Sequence, residues 1–136
     1  RLTDVTGVQT CALPIFDSSG WLEYLGDLPN AHFFETAAQD SENLLVPTII
    51  LYEVYKRLSQ ISSREAARDA VGIMSDGKIL DLNASIALEA AEISIQHKLP
   101  MADSMILASA RHFQATLWTQ DAHFKDFPGV QYIEKP

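Results

Sequence analysis

The amino-acid sequence predicts an α/β fold, a three-layer α/β/α sandwich built on a mainly parallel central sheet. Three observations carry that reading. Short β-prone runs alternate with helix-like stretches from Phe16 onward, and strands separated by helices imply a parallel sheet covered on both faces. The chain has 136 residues, the size of one ordinary domain. Hydrophobic residues make up 47% and charged residues 21%, enough for a packed core and too apolar for disorder.

Taken in order, residues 13–16 form a first short apolar strand. Asp17-Ser18-Ser19-Gly20 then opens a helix, with Ser18 or Ser19 as its N-cap. Trp21, Leu22 and Leu25 fall at helical spacing, and Pro29-Asn30 breaks the pattern. Residues 31–39 read as a second helix and residues 44–46 as a short buried strand. Pro47-Thr48 starts a helix running to about Ser59, with an apolar stripe of Ile50, Val54, Leu58 and Ile61. Residues 63–75 are a polar, Ala-rich helix with an Arg64/Arg68 edge, and Gly77 stops it. A strand at 78–82 and an Ala-rich helix at 84–96 follow; Pro100 punctuates, and residues 101–113 are helical. The chain finishes with a strand at 115–119, a helical turn at 121–125 and a strand at 130–133.

The first fifteen residues stand apart. VTGVQTCALPI, residues 5–15, resembles the translation of a short-read sequencing adapter. On that reading residues 1–15 are a non-native fusion and residues 16–136 are a single domain. Pro14 agrees, because proline cannot donate to a strand ladder and fits poorly in a central strand.

Several function classes fall away on composition. The formal charge is −8, which argues against a broad basic surface for nucleic acid. It leaves room for a nuclease whose acids bind metal, since two divalent cations would halve that charge. Cys11 is the single cysteine, so neither an internal disulfide nor a Cys-rich zinc site is available. No apolar run reaches the ~18 residues that span a bilayer, and no secretory signal is evident. A soluble, cytoplasmic protein is the expectation. His32, His97, His112 and His123 show no metal-ligand spacing and read as solvated or capping residues. Trp21 and Trp118 sit in apolar patterns and read as core. There is no Gly-x-Ser-x-Gly elbow for a serine hydrolase and no Gly-rich phosphate loop.

The acids are more informative. In open α/β sheets the working site lies at the carboxyl ends of the strands. Asp17 directly follows the first strand and Asp121 lies just beyond the strand at 115–119, so both belong at that edge. Each also suits a helix cap or turn. Asp103 shares an i, i+3, i+4, i+7 pattern with Ile106, Leu107 and Ala110, which puts a carboxylate on an apolar face. A buried carboxylate is costly unless it is paired or binds metal. Glu53 lies beside the stripe of its helix, where an i+4 surface pair with Arg57 is the plainer account. Acids converging on one edge repel one another, and metal relieves that repulsion. Mg²⁺ takes oxygen ligands and keeps several waters, so a few carboxylates suffice.

These segments resemble the motifs of a known family. Phe16-Asp17-Ser18-Ser19 looks like the first motif of PIN domains, Val46-Pro47-Thr48 with Glu53 like the second, Ala102-Asp103-Ser104-Met105-Ile106-Leu107-Ala108 like the third, and Thr119-Gln120-Asp121-Ala122-His123-Phe124 like the fourth. Their order is similar to that of VapC-like toxins. The resemblance implies a Mg²⁺- or Mn²⁺-dependent endoribonuclease, the toxin of a type II toxin–antitoxin pair. It implies Asp17, Glu53 and Asp103 as metal ligands, Asp121 as a further or water-mediated ligand, and Ser19 and Thr119 as supporting hydrogen-bonders. It also implies a homodimer and a VapB-like antitoxin. Lys56, Arg57 and Arg111 are candidate phosphate contacts. Two other readings compete: a non-catalytic interaction module that keeps the fold, either a degenerate PIN scaffold or receiver-like, and a metal-dependent phosphatase. The serines after Asp17 disfavour both a receiver's paired acids and a phosphatase's second Asp.

Overall fold

The computed structural model describes residues 4, 5, 7, 8, 12–39 and 41–136. Cys11 and part of the adapter-like segment therefore lie outside the described residues. Two short strands, β1 (Asp4–Val5) and β2 (Gly7–Val8), pair antiparallel with each other, separate from the main sheet.

The main sheet has five strands, β3 (Pro14–Phe16), β4 (Leu45–Pro47), β5 (Lys78–Leu80), β6 (Thr116–Thr119) and β7 (Val130–Tyr132), in the order β5-β4-β3-β6-β7. Every pairing is parallel. Among the described residues six α-helices flank the sheet: α1 (Ser18–Leu25), α2 (Ala31–Ala38), α3 (Thr48–Ile61), α4 (Arg64–Met74), α5 (Ala84–His97) and α6 (Met101–His112). This is the three-layer α/β/α sandwich read from the sequence. The strand order differs from the 2-1-3-4-5 order of receivers, which sets the receiver-like reading aside.

β3 is the central strand, paired on both sides, and Ile15 and Phe16 are fully buried in it. Pro14 is tolerated there because it is the first residue of the strand, where a missing N–H costs least. Phe16 anchors an aromatic cluster, with its ring centroid 5.2 Å from those of both Trp21 and Phe34. Such tilted and edge-on contacts add to plain apolar burial.

Several boundaries move for local reasons. Asp17, not Ser18 or Ser19, caps α1, its carboxylate accepting from the Gly20 N–H. β5 stops at Leu80 because Asn83 caps α5 by accepting from Ile86 N–H, which turns Asp81-Leu82 into the connection. The α3 stripe holds at Ile50 and Val54, both fully buried, and runs out at Ile61, the last residue of the helix and 58% exposed. Gly77 is required by packing: a Cβ there would lie 2.6 Å from the Leu44 carbonyl oxygen, which accepts from Lys78 N–H as β5 joins β4.

The connections after β3 and β4 step outward in one direction, whereas the chain leaving β5 crosses back to place β6 on the other side of β3. The reversal falls between β3 and β6, whose carboxyl ends are the usual ligand position in open α/β sheets.

Candidate active site

Parallel register builds the first part of the site. Phe16 pairs with Trp118, and Asp17 N–H donates to the Trp118 carbonyl at 3.3 Å. That register sets Thr119 beside Asp17. The Thr119 hydroxyl donates to Asp17 Oδ2 at 2.6 Å and accepts from Asp121 N–H at 2.8 Å. Ser19 Oγ lies within 3.0 Å of both Asp17 oxygens, and Gly20 N–H donates to Oδ1 at 2.9 Å. Asp17 is 3% exposed. Burial pushes its carboxyl up to about 6, against the downward pull of Thr119, Gly20 and Ser19, while the charge of Asp121 adds to the rise. Ser19 and Thr119 thus hold both oxygens of Asp17.

Asp103 sits in the first turn of α6, half-buried, with Ile106, Leu107 and Ala110 buried below it. Its Oδ2 lies 3.0 Å from His123 Nδ1, and the same nitrogen lies 3.4 Å from Asp121 Oδ1. Asp121 caps the Ala122–Phe124 turn by accepting from His123 N–H at 2.9 Å. Asp103, Asp121 and His123 each offer a ligand atom within 4.8 Å of the others, a spacing that suits one cation. Burial raises the Asp103 pKa, the His123 hydrogen bond lowers it, and the Asp121 charge raises it again.

Glu53 enters from α3. No ion pair joins it to Arg57 among the described residues, so the surface-pair account from sequence is corrected. Its Oε1 is buried with no hydrogen-bond partner. Burial raises its pKa and the nearby charges of Asp103 and Asp121 raise it further, against a hydrogen bond from Ser18 and the Lys56 charge. Asp17 and Glu53 stand outside the tight Asp103–Asp121–His123 group, yet both feel its charge. The residues fit a hard divalent cation: carboxylate donors, one orphaned oxygen and mutual repulsion that only positive charge relieves.

Sequence reasoning missed two features. His123 shows no metal-ligand spacing in the sequence, but its position two residues after Asp121 in a capped turn brings it onto both acids. A buried polar network was also missed. Gln120 Nε2 donates to Glu23 Oε1 at 3.0 Å, Asn30 N–H donates to Glu23 Oε2 at 2.8 Å, and Asn30 Nδ2 donates to Gln120 Oε1 at 2.9 Å. It ties α1 and the turn before α2 to the end of β6, between Thr119 and Asp121. No pattern in the sequence marks it, because its members lie far apart along the chain.

Comparison with known proteins identifies the family and the fold. The model of the PIN domain family matches residues 15–130. No curated protein sequence matches the chain. Among solved structures, a toxin–antitoxin complex from Klebsiella pneumoniae superimposes with a TM-score of 0.74 at 21% identity, covering 90% of this chain and 99% of that one. The DNA-bound VapBC of Salmonella typhimurium gives a TM-score of 0.73 at 18% identity, with 90% and 98% covered. VapC20 of Mycobacterium tuberculosis, described as a toxin that cleaves the sarcin–ricin loop, gives 0.67 at 16% identity, with 82% and 92% covered. At such identities the likeness establishes the shared fold.

Proposed function

The chain belongs to the PIN domain family, and from that premise we propose that it is a divalent-metal-dependent endoribonuclease, the toxin of a type II toxin–antitoxin pair. One observation carries the reading. Asp17, Glu53, Asp103 and Asp121 meet at one sheet edge, and three of the four have carboxyl groups pushed upward by burial and by their neighbours' charge. A scaffold kept only for binding gains nothing from such repulsion.

Asp17, Glu53 and Asp103 would hold the cation, with Asp121 as a further or water-mediated ligand, and the close approach of Asp103 to Asp121 supports a direct place for both. Bound Mg²⁺ or Mn²⁺ supplies an activated water and charge neutralisation at a phosphodiester. The chain's own residues do the positioning. Thr119, Ser19 and Gly20 fix both oxygens of Asp17, and Thr119 links that acid to the backbone of Asp121. His123 holds Asp103 in place.

The partners follow from the same reading. A VapB-like antitoxin would find an apolar groove lined by Leu22, Leu25, Leu28, Leu58, Ile61 and Ile73. A homodimer would bury the exposed Leu88, Ile95 and Met101 of α5 and α6. Among the described residues no helix is long and apolar enough to cross a membrane, and the proposed place of action is the cytoplasm. Residues 1–15 are proposed to be a non-native fusion, whose last two residues, Pro14 and Ile15, supply the start of the central strand β3.

The test is cleavage of a labelled single-stranded RNA panel with Mg²⁺, with Mn²⁺ and with EDTA, beside Asp103→Asn. Metal-dependent cutting lost in the variant is expected. Folded protein that cuts no RNA with either metal sinks the reading in favour of a degenerate scaffold, and turnover of phosphomonoesters instead of RNA redirects it to a phosphatase.

A further inference from the structure

Two cavities flank the acid cluster. The larger, about 680 Å³, is lined by His97, Lys98, Arg111, His123 and Phe127, with Asp126 the single acid among its lining residues. The smaller, about 350 Å³, is lined by Ser18, Tyr52, Glu53, Lys56 and Arg57 among others. The first reaches the acids through His123, and the second through Glu53. Each holds a cation over an aromatic ring: Arg111 lies 5.9 Å from the Phe127 centroid and Lys56 lies 5.6 Å from the Tyr52 centroid. Tyr52 is 58% exposed, so its ring is available to a ligand. Of the ten lysines and arginines in a chain of charge −8, four line these two cavities.

Resting on the ribonuclease reading, we propose that the two cavities hold the nucleotides on either side of the cleaved phosphate, so that the site takes single-stranded RNA laid across the acids. The cations meet flanking phosphates, and the Tyr52 ring and the Arg111 guanidinium, the latter backed by Phe127, offer flat surfaces to bases. A base stacks on such a surface only when it is unpaired, which selects a single strand over a duplex. The placement also answers the charge problem. An acidic protein has no broad basic surface, but a strand needs only local cations at its phosphates.

The experiment is anisotropy titration of a fluorescent, unstructured RNA oligonucleotide against the full chain in EDTA, repeated across a series of KCl concentrations. Tyr52→Ala should weaken binding about tenfold, as expected for one lost stacking contact. Lys56→Gln, Arg111→Gln and Lys98→Asn should each lower the slope of log affinity against log salt by about 0.7. Asparagine suits Lys98 because that residue has φ 57°, in the left-handed region. Lys78→Gln, at the amino end of β5 and in neither cavity, should bind as the parent does. Thermal melting of each variant shows that it folds. A parent that cuts RNA while all four cavity variants bind it unchanged overturns the strand path and leaves the ribonuclease reading intact. Equal affinity for an RNA duplex also overturns it. The expected variant pattern without cutting by the parent supports the strand path and removes the cleavage reading. A parent that binds no RNA overturns both.

Discussion

Replacing Asp17 by asparagine should stabilise the metal-free protein at neutral pH. Asp17 is buried, and its carboxyl is raised from 3.8 to about 6. Between those two values the folded chain binds more protons than the unfolded one, so stability falls as pH rises. The loss is absent below pH 3.8 and complete above about pH 6. At about 1.4 kcal/mol per pH unit, the ionised Asp17 costs on the order of 3 kcal/mol at pH 8. Asparagine cannot ionise and keeps an oxygen for the Gly20 N–H. The assay is urea unfolding in EDTA at pH 4 and pH 8 for parent and variant. Glu53 and Asp103 are raised in the same direction and remain in both proteins, so the difference isolates Asp17. The parent should lose about 3 kcal/mol more than Asp17→Asn across that range, on the order of 10 °C in Tm. Saturating Mg²⁺ should erase the variant's advantage, because the cation stabilises the ionised acids. Parallel pH profiles for the two proteins in EDTA would refute the reasoning.

Other outcomes follow from the same geometry. Gly20→Ala places a Cβ 2.6 Å from Phe34 Cε1 and 3.1 Å from Asp17 Oδ1; it should cost about 1–3 kcal/mol in urea unfolding and weaken metal binding in calorimetry. Thr119→Val removes the donor to Asp17 and leaves Asp121 N–H without its acceptor, so Mn²⁺ affinity should fall about 10–100-fold, with little change in the far-ultraviolet circular dichroism. Gln120→Leu strips one donor from buried Glu23, a change expected to destabilise by about 1–3 kcal/mol and to be read by chemical denaturation.

The alternation of strand and helix was legible because it rests on local periodicity, and the carboxyl-edge rule then located Asp17 and Asp121. The cap of α1 stays open in the sequence because Asp, Ser and Ser stand in a row and all three suit the position; only the strand end, at Phe16, decides among them. Glu53 illustrates a different limit. Its helical spacing to Arg57 is a true local fact, but α3 packs against α1 and α6 so that the carboxylate turns toward Asp103 and Asp121. His123 and the Glu23–Asn30–Gln120 network depend on side chains from distant segments meeting, and spacing carries no record of that.

The Thr119 hydroxyl grips an acid 102 residues earlier in the chain. During synthesis Asp17 leaves the ribosome 102 residues before the hydroxyl that fixes it, and β6 cannot dock on β3 until that later segment has emerged. Non-local strand pairing of this kind closes late in folding. A growing chain therefore carries no assembled acid cluster until β6 has paired with β3.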